Sequence, residues 1–209
     1  MKNIFLSLLF LLSTYNYSQQ NFNQFSLEAG YGYVSPLNGF SEENGSSFSA
    51  FKNFDFGVRY MFNQTVGVKV GYSNSKFESN RNNSFGTKMN TINLQGYLNL
   101  AHLLNFKSNF SDNFGLLFHS GVGYSTMFSN LNPGQDQIYS FMGGLTPQYK
   151  LSDRIAFYID FSYFYNTSHD FFYDGMLNTN DKKFNTQMYT ISLGLIFNLG
   201  GNSSHADWY

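Results

Sequence analysis

The residues nearest to a catalytic constellation are Asn166-Thr167-Ser168-His169-Asp170, which set a hydroxyl, an imidazole and a carboxylate side by side. Those are the groups that hydrolysis or acyl transfer needs: a nucleophile, a base to take its proton, and an acid to orient the base. The requirement is spatial, however. Adjacency in sequence does not supply the contact of about 3 Å between base and nucleophile. A polar segment rich in Asn, Ser and Asp contains such a triplet by composition alone, so no catalytic residue is assigned and the chain is read as a non-enzyme. The remaining histidines, His102, His119 and His205, lie far apart, with no HExxH motif and no cysteine beside them. No metal site is expected from that spacing. Glycine is frequent, but no GxGxxG lies between a strand and a helix, so no nucleotide or other cofactor is expected either.

A second kind of chemistry is that of charge held in an apolar setting. Charged residues make up 12% of the 209 residues, against roughly 25% in ordinary soluble domains. Six ionisable residues nevertheless interrupt apolar runs: Glu28, Asp55, Arg59, Lys69, His119 and Asp160. Buried charges persist when they are paired, so these six are expected to form an interior network of ion pairs and hydrogen bonds. A narrow gated pore, opened by exchange of partners, is the sharper reading of the same residues. The net charge of -1 and the lack of any Lys/Arg cluster along the chain argue against a nucleic-acid partner.

The elements that would hold this network are strands. From Asn53 to Phe62 one parity is Phe54, Phe56, Val58, Tyr60 and Phe62, and the other is Asn53, Asp55, Gly57 and Arg59, with Met61 the exception. Successive strand side chains point to opposite faces, so this is a sheet with one greasy and one small or polar side. The alternation recurs in eight segments: around Phe25–Tyr33, Asn53–Phe62, Val66–Ser73, Ile92–Leu100, Leu116–Ser125, Tyr139–Tyr149, Ile155–Tyr165 and Tyr189–Asn198. With the residues that flank these alternating cores, the strands are expected to be about 9 to 13 residues long, which suits a tilted strand crossing a bilayer. A soluble sandwich or lipocalin-like cup would turn Lys, Glu and Asp outward. Here the polar parity is mostly Gly, Ser, Thr, Asn and Gln, which suits the filled interior of an eight-stranded barrel. Tyr31, Tyr33, Tyr72, Tyr139 and Tyr165, near strand ends, suit an interfacial girdle.

The flanks agree with that reading. Met1-Lys2-Asn3, the apolar run Ile4 to Leu12 and the polar Ser13 to Gln20 have the three-part pattern of a cleaved export signal, with cleavage expected after Ser18. Segments Ser35–Lys52, Asn74–Lys88, Ser129–Gln137 and Thr167–Phe184 read as long loops, against tight turns at Asn63-Gln64 and Ser152-Asp153. Long loops on one side and short turns on the other is the outer-membrane arrangement. Ala101 to Asp112 is longer than a turn on that side should be and could conceal a slipped register.

Three features together resemble the small outer-membrane barrels of the OmpA/OmpX type. Ser192-Leu193-Gly194-Leu195-Ile196-Phe197-Asn198-Leu199 fits the signal that insertion machinery reads in such barrels, with Ser192, Gly194, Phe197 and Leu199 in its marked positions. Gly144 to Phe157, with its Tyr149-Lys150-Leu151-Ser152-Asp153-Arg154 turn, resembles their sixth-to-seventh-strand hairpin. His205-Ala206-Asp207-Trp208-Tyr209 resembles the segment that joins such barrels to a periplasmic wall-binding domain.

The resemblance implies an all-β, eight-stranded antiparallel transmembrane up-and-down β-barrel, with 1–18 as signal, 19–200 as barrel and 201–209 as a periplasmic tail. It implies residence in the outer membrane of a Gram-negative-type bacterium and a structural role in envelope integrity. Its partners would be outer-membrane lipids and lipopolysaccharide, the insertion machinery and periplasmic chaperones, with the barrel itself a monomer. Outer-membrane lipid A-modifying enzymes share the eight-stranded architecture and use Ser and His, which is the further sense in which the Ser168-His169 run matters. The loops could also bind a surface ligand, since Phe40, Phe48, Phe77, Phe85, Phe171 and Phe172 are aromatic for solvated segments.

Overall fold

The computed structural model describes residues 22–41, 50–78, 86–105, 112–178 and 183–208. The expected signal segment, Phe48, Phe85 and Tyr209 lie outside these residues. Eight strands follow in chain order: β1 Phe25–Pro36, β2 Ala50–Met61, β3 Val66–Glu78, β4 Gly86–Asn99, β5 Phe114–Ser129, β6 Gln135–Lys150, β7 Ile155–His169 and β8 Phe184–Leu199. Each pairs antiparallel with its neighbours in sequence, and β1 pairs β8 from Phe25↔Leu199 to Pro36↔Met188, closing the barrel. Closure satisfies the backbone groups that an open edge would leave bare, the condition for strands to cross a bilayer. No helix among the described residues is long and apolar enough to cross one.

The alternation decides what faces where. Phe54, Phe56 and Val58 stand exposed on the outer wall, while Asn53 and Arg59 are buried within. Tyr31, Tyr72, Tyr139 and Tyr165 also face outward. Met61, the exception to its strand's pattern, points inward and packs against Phe22 and Ala206. Its apolar side chain suits a position where another part of the chain covers the lumen.

The strands run longer than the sequence suggests, 12 to 16 residues. At about 3.3 Å per residue the longest spans about 50 Å along its axis, so the ends project beyond the apolar belt. The described residues of the Asn74–Lys88 segment, read as a long loop, are therefore strand, pairing from Asn74↔Asn90 to Glu78↔Gly86. Ser129–Gln137 shrinks likewise, with β5 reaching Ser129 and β6 starting at Gln135. Backbone pairing continues through Asn, Ser and Lys because the ladder needs only N–H and C=O groups. At Ala101–Asp112 the register does not slip: β4 pairs β5 from Thr87↔Ser129 to Asn99↔Leu117 without a shift. The added length includes a one-turn helix α1, Leu100–Leu103, whose N-terminus is capped where the Asn99 side chain accepts from His102 N at 3.1 Å.

Candidate functional site

The lumen is packed in three layers. At the end bearing the tight turns, residues beyond β8 fold back into the barrel mouth. Gly200, at φ +142°, allows the chain to turn there, and a side chain would collide with Asn23. Asn23 then holds the tail by its backbone, donating to Ser204 O at 2.8 Å and accepting from Ala206 N at 2.9 Å. Its side chain donates to Asn202 O at 2.7 Å and accepts from Asn202 N at 2.9 Å. A 3-10 turn, Ala206–Trp208, carries Asp207 into the lumen and lays Trp208 against Ala156, Tyr158 and Ile196.

Asp207 completes a charge network. Arg59, fully buried, reaches Glu28 through Nε at 2.8 Å and Asp207 through Nη2 at 2.6 Å. Lys69 meets the other Glu28 oxygen at 2.5 Å. Two carboxylates and two cations therefore cancel, and both cations lie over the Tyr97 ring, at 5.4 and 5.8 Å from its centroid. Gln148 Nε2 donates to Asp207 at 3.2 Å. Burial pushes the Asp207 carboxyl up, but Arg59 and His205 pull it down further, so it rests well below the usual carboxylate range. His205–Trp208, from the segment that resembles an interdomain junction, thus occupy the barrel mouth.

Above this lies a polar layer built from the remaining expected residues. Asp55 accepts from Tyr158 Oη at 2.8 Å, and a Cβ on Gly194 would stand 2.6 Å from the Tyr158 ring, so glycine makes room for it. Asp160 meets His119 Nε2 at 3.0 Å and accepts from Ser162 at 2.5 Å and Thr146 at 2.8 Å. His119 stacks on Tyr97. Asn53, Asp55, Lys69, Gln95, Asp160 and Thr190 help line a cavity of about 40 Å³. All six expected lumen residues are thus brought together; Asp207, Tyr97, Tyr158 and Gln148 complete the network and went unassigned in the sequence.

The Ser162, His119 and Asp160 side chains meet but lack triad geometry. Ser162, at 3.4 Å, and Asp160 both face the same nitrogen of His119, whereas a triad needs the acid on the opposite nitrogen. In the Ser168-His169-Asp170 run, His169 Nε2 meets Thr186 Oγ1 at 2.8 Å while the Asp170 carboxylate turns to Lys183 at 2.8 Å. The groups diverge.

The third layer closes the loop end with apolar residues. Val34, Phe77, Met89, Met127, Ile138, Met142, Phe164 and Met188 project inward from the strands, and Phe171 and Tyr173 enter from the segment after β7. Tyr173 Oη accepts from Asn166 Nδ2 at 3.0 Å and lies 2.9 Å from Thr186 Oγ1. Burial pushes its phenol up to about 12, so it stays neutral. The Asp174 carboxylate holds the segment by accepting from Ser41 N at 3.2 Å and Met176 N at 3.0 Å. This corrects the reading of the loop aromatics as solvated: Phe77 and Phe171 are buried inside the barrel, and Phe40 packs on the same cluster. Phe172 is half-buried, its ring tilted against that of Phe184 at 4.7 Å between centroids.

The proposed insertion-signal residues occupy both faces of β8. Ser192 is inward, accepting from Asn53 Nδ2 at 3.1 Å, and Gly194 lies behind Tyr158, whereas Phe197 and Leu199 face outward.

Comparison with known proteins places this architecture. Residues 4–197 match the family described as outer membrane protein beta-barrel domain. The fold is similar to Neisserial surface protein A, at TM-score 0.56 and 12% identity, covering 84% of this chain and 97% of that one. It is similar also to the outer membrane protein OprG of Pseudomonas aeruginosa, at TM-score 0.51 and 13% identity, covering 86% and 97%. The N-terminal barrel of OprF from the same organism gives TM-score 0.50 at 12% identity, covering 85% and 99%. At these identities the likeness concerns the fold. No curated protein matches the sequence.

Proposed function

Given that the chain belongs to the outer membrane protein β-barrel family, we propose that it serves as a structural, non-enzymatic wall element of the outer membrane. In this reading it supports the permeability barrier and presents its loop end at the cell surface. The observation that carries the reading is the closed lumen. An ion-paired tail seals one end and apolar side chains seal the other, inside a wall whose outer face is Phe, Tyr, Val, Ile and Leu. Such a molecule offers lipid a continuous apolar belt, and side chains of the described residues fill both ends of its lumen. The gated-pore reading would require both seals to move, and in the enzymatic reading His169 and Asp170 turn to different partners, Thr186 and Lys183. Its partners are then outer-membrane lipids, lipopolysaccharide, and the insertion and chaperone proteins met during assembly, with the barrel a monomer.

The test is a strain lacking the gene, challenged with detergent and with large hydrophobic antibiotics. Increased sensitivity, restored equally by the native gene and by a Ser168→Ala/His169→Ala variant, is expected. Unchanged sensitivity would remove the structural role, and rescue by the native gene alone would reinstate the enzyme.

A further inference from the structure

The register of β2, β3 and β4 assembles a basic row that the linear sequence does not show. Lys76 on β3 and Lys88 on β4 are direct cross-strand partners. Lys52 on β2, one residue beyond the Asn53↔Ser75 pair, stands beside Lys76 at the same height. All three are exposed. They face outward, because Ser75, Phe77, Thr87 and Met89 on either side of them are buried in the lumen.

Like charges placed directly opposite each other on a sheet destabilise it. Lys52 is relieved by an ion pair with Glu78. Among the described residues no carboxylate pairs with Lys76 or Lys88, leaving two ammonium groups on Cβ atoms about 5 Å apart.

The height of the row identifies what it meets. Immediately below it Phe54, Asn74 and Asn90 form the next row, where Asn74 Nδ2 donates to Asn90 Oδ1 at 2.5 Å and Tyr72 Oη donates to the same oxygen at 3.2 Å. Below that come Phe56, Tyr72 and Ile92, then Val58, Val70 and Leu94, all exposed. The outer wall therefore passes from apolar to amide to ammonium within a few residues, which is the profile of acyl chain, interface and headgroup. We propose that Lys76 and Lys88 clamp a phosphate monoester on the headgroup of a lipid in the leaflet nearest the loops. A monoester carries about -1.5 to -2 charges near neutral pH, matching the two unrelieved ammonium groups, and its oxygens accept charge-assisted hydrogen bonds from both. The inference rests on the reading of this chain as a membrane-inserted barrel with its loops outward.

The full barrel is inserted first into neutral phosphatidylcholine vesicles. Failure there, seen as loss of the heat-dependent gel shift, would overturn the membrane reading itself. The detergent-solubilised protein is then titrated by native mass spectrometry with diphosphoryl lipid A, dephosphorylated lipid A, phosphatidylglycerol and inorganic phosphate. The native barrel is expected to bind diphosphoryl lipid A about tenfold or more tightly than each of the others. Lys76→Gln/Lys88→Gln abolishes that preference, and either single substitution halves it or more. Lys150→Gln, at the opposite end, leaves it intact. Equal binding of phosphatidylglycerol would show only diffuse attraction to anionic lipid. Equal binding of inorganic phosphate would show an ion site that does not read lipid, and an undiminished preference in the double variant would place the phosphate elsewhere. Each of these overturns the proposal.

Discussion

The two ends of the lumen are sealed by opposite means. At the turn end the seal is four charges in strict geometry: Glu28, Arg59, Lys69 and Asp207. At the loop end it is ten buried apolar or aromatic side chains, four of them methionines. A charge seal is all-or-none, because a buried ion without its partner carries its full desolvation cost. An apolar seal degrades in steps, because methionine and its neighbours repack around a gap. The same barrel thus has one brittle end and one compliant end.

The largest effect should come from removing the shared cation. Arg59→Ala leaves both Glu28 and Asp207 buried without it, and is expected to destabilise the barrel by about 3–5 kcal/mol. Met89→Ala at the other end removes a fully buried methionine and should cost about 2–3 kcal/mol, at the low end of such truncations, since methionine-rich surroundings collapse into the space. The thermal midpoint of the heat-dependent gel shift in detergent reads both. Similar losses at the two sites would abolish the contrast between the ends.

The contrast extends to pH. The Asp207 carboxyl sits below its unfolded value, so its contribution to stability is complete above that value, about 3.9, and fades as pH falls towards the folded one. Hydrogen exchange of the tail amides, which include Ala206 N and Trp208 N, should therefore hold steady from pH 7 to pH 5, after correction for intrinsic rates, and lose protection below about pH 4. The loop-end segment around Phe171 and Tyr173 is tied instead through the Asp136 and Asp174 carboxylates, which accept from its backbone N–H groups, so its own acid loss should not depend on Asp207. Asp207→Asn is expected to abolish the step in the tail and to leave that of the loop end in place; a step removed from both segments would abolish the distinction.

Strand number, strand faces and all six interior ionisable residues were legible in the sequence because each rests on period-2 alternation, which is local. Asp207 was not, because the tail has no period and its partner Arg59 lies on β2 at the far end of the chain. The inward Phe77 and Met89 sit in strand ends rich in Asn, Ser and Lys, whose composition imitates a loop. Phe171 escaped for a different reason: nothing local says whether a loop aromatic turns in or out. The lysine row escaped for a third. Lys52, Lys76 and Lys88 become neighbours through register, which two strands fix jointly.

The smallest expected effect lies outside both seals and tests whether the contrast belongs to burial. Lys183 and Asp170 form an ion pair at 2.8 Å with side chains 54% and 44% exposed. The distance is nearly that of Arg59 to Asp207, 2.6 Å, where the side chains are 0% and 1% exposed. Water screens the first pair and is excluded from the second, so geometry alone would rank them together and burial separates them. Lys183→Ala is therefore expected to shift stability by less than about 1 kcal/mol, read by the same gel assay. A loss comparable to that of Arg59→Ala would mean that the brittleness of the turn end comes from ion pairing as such and not from its burial.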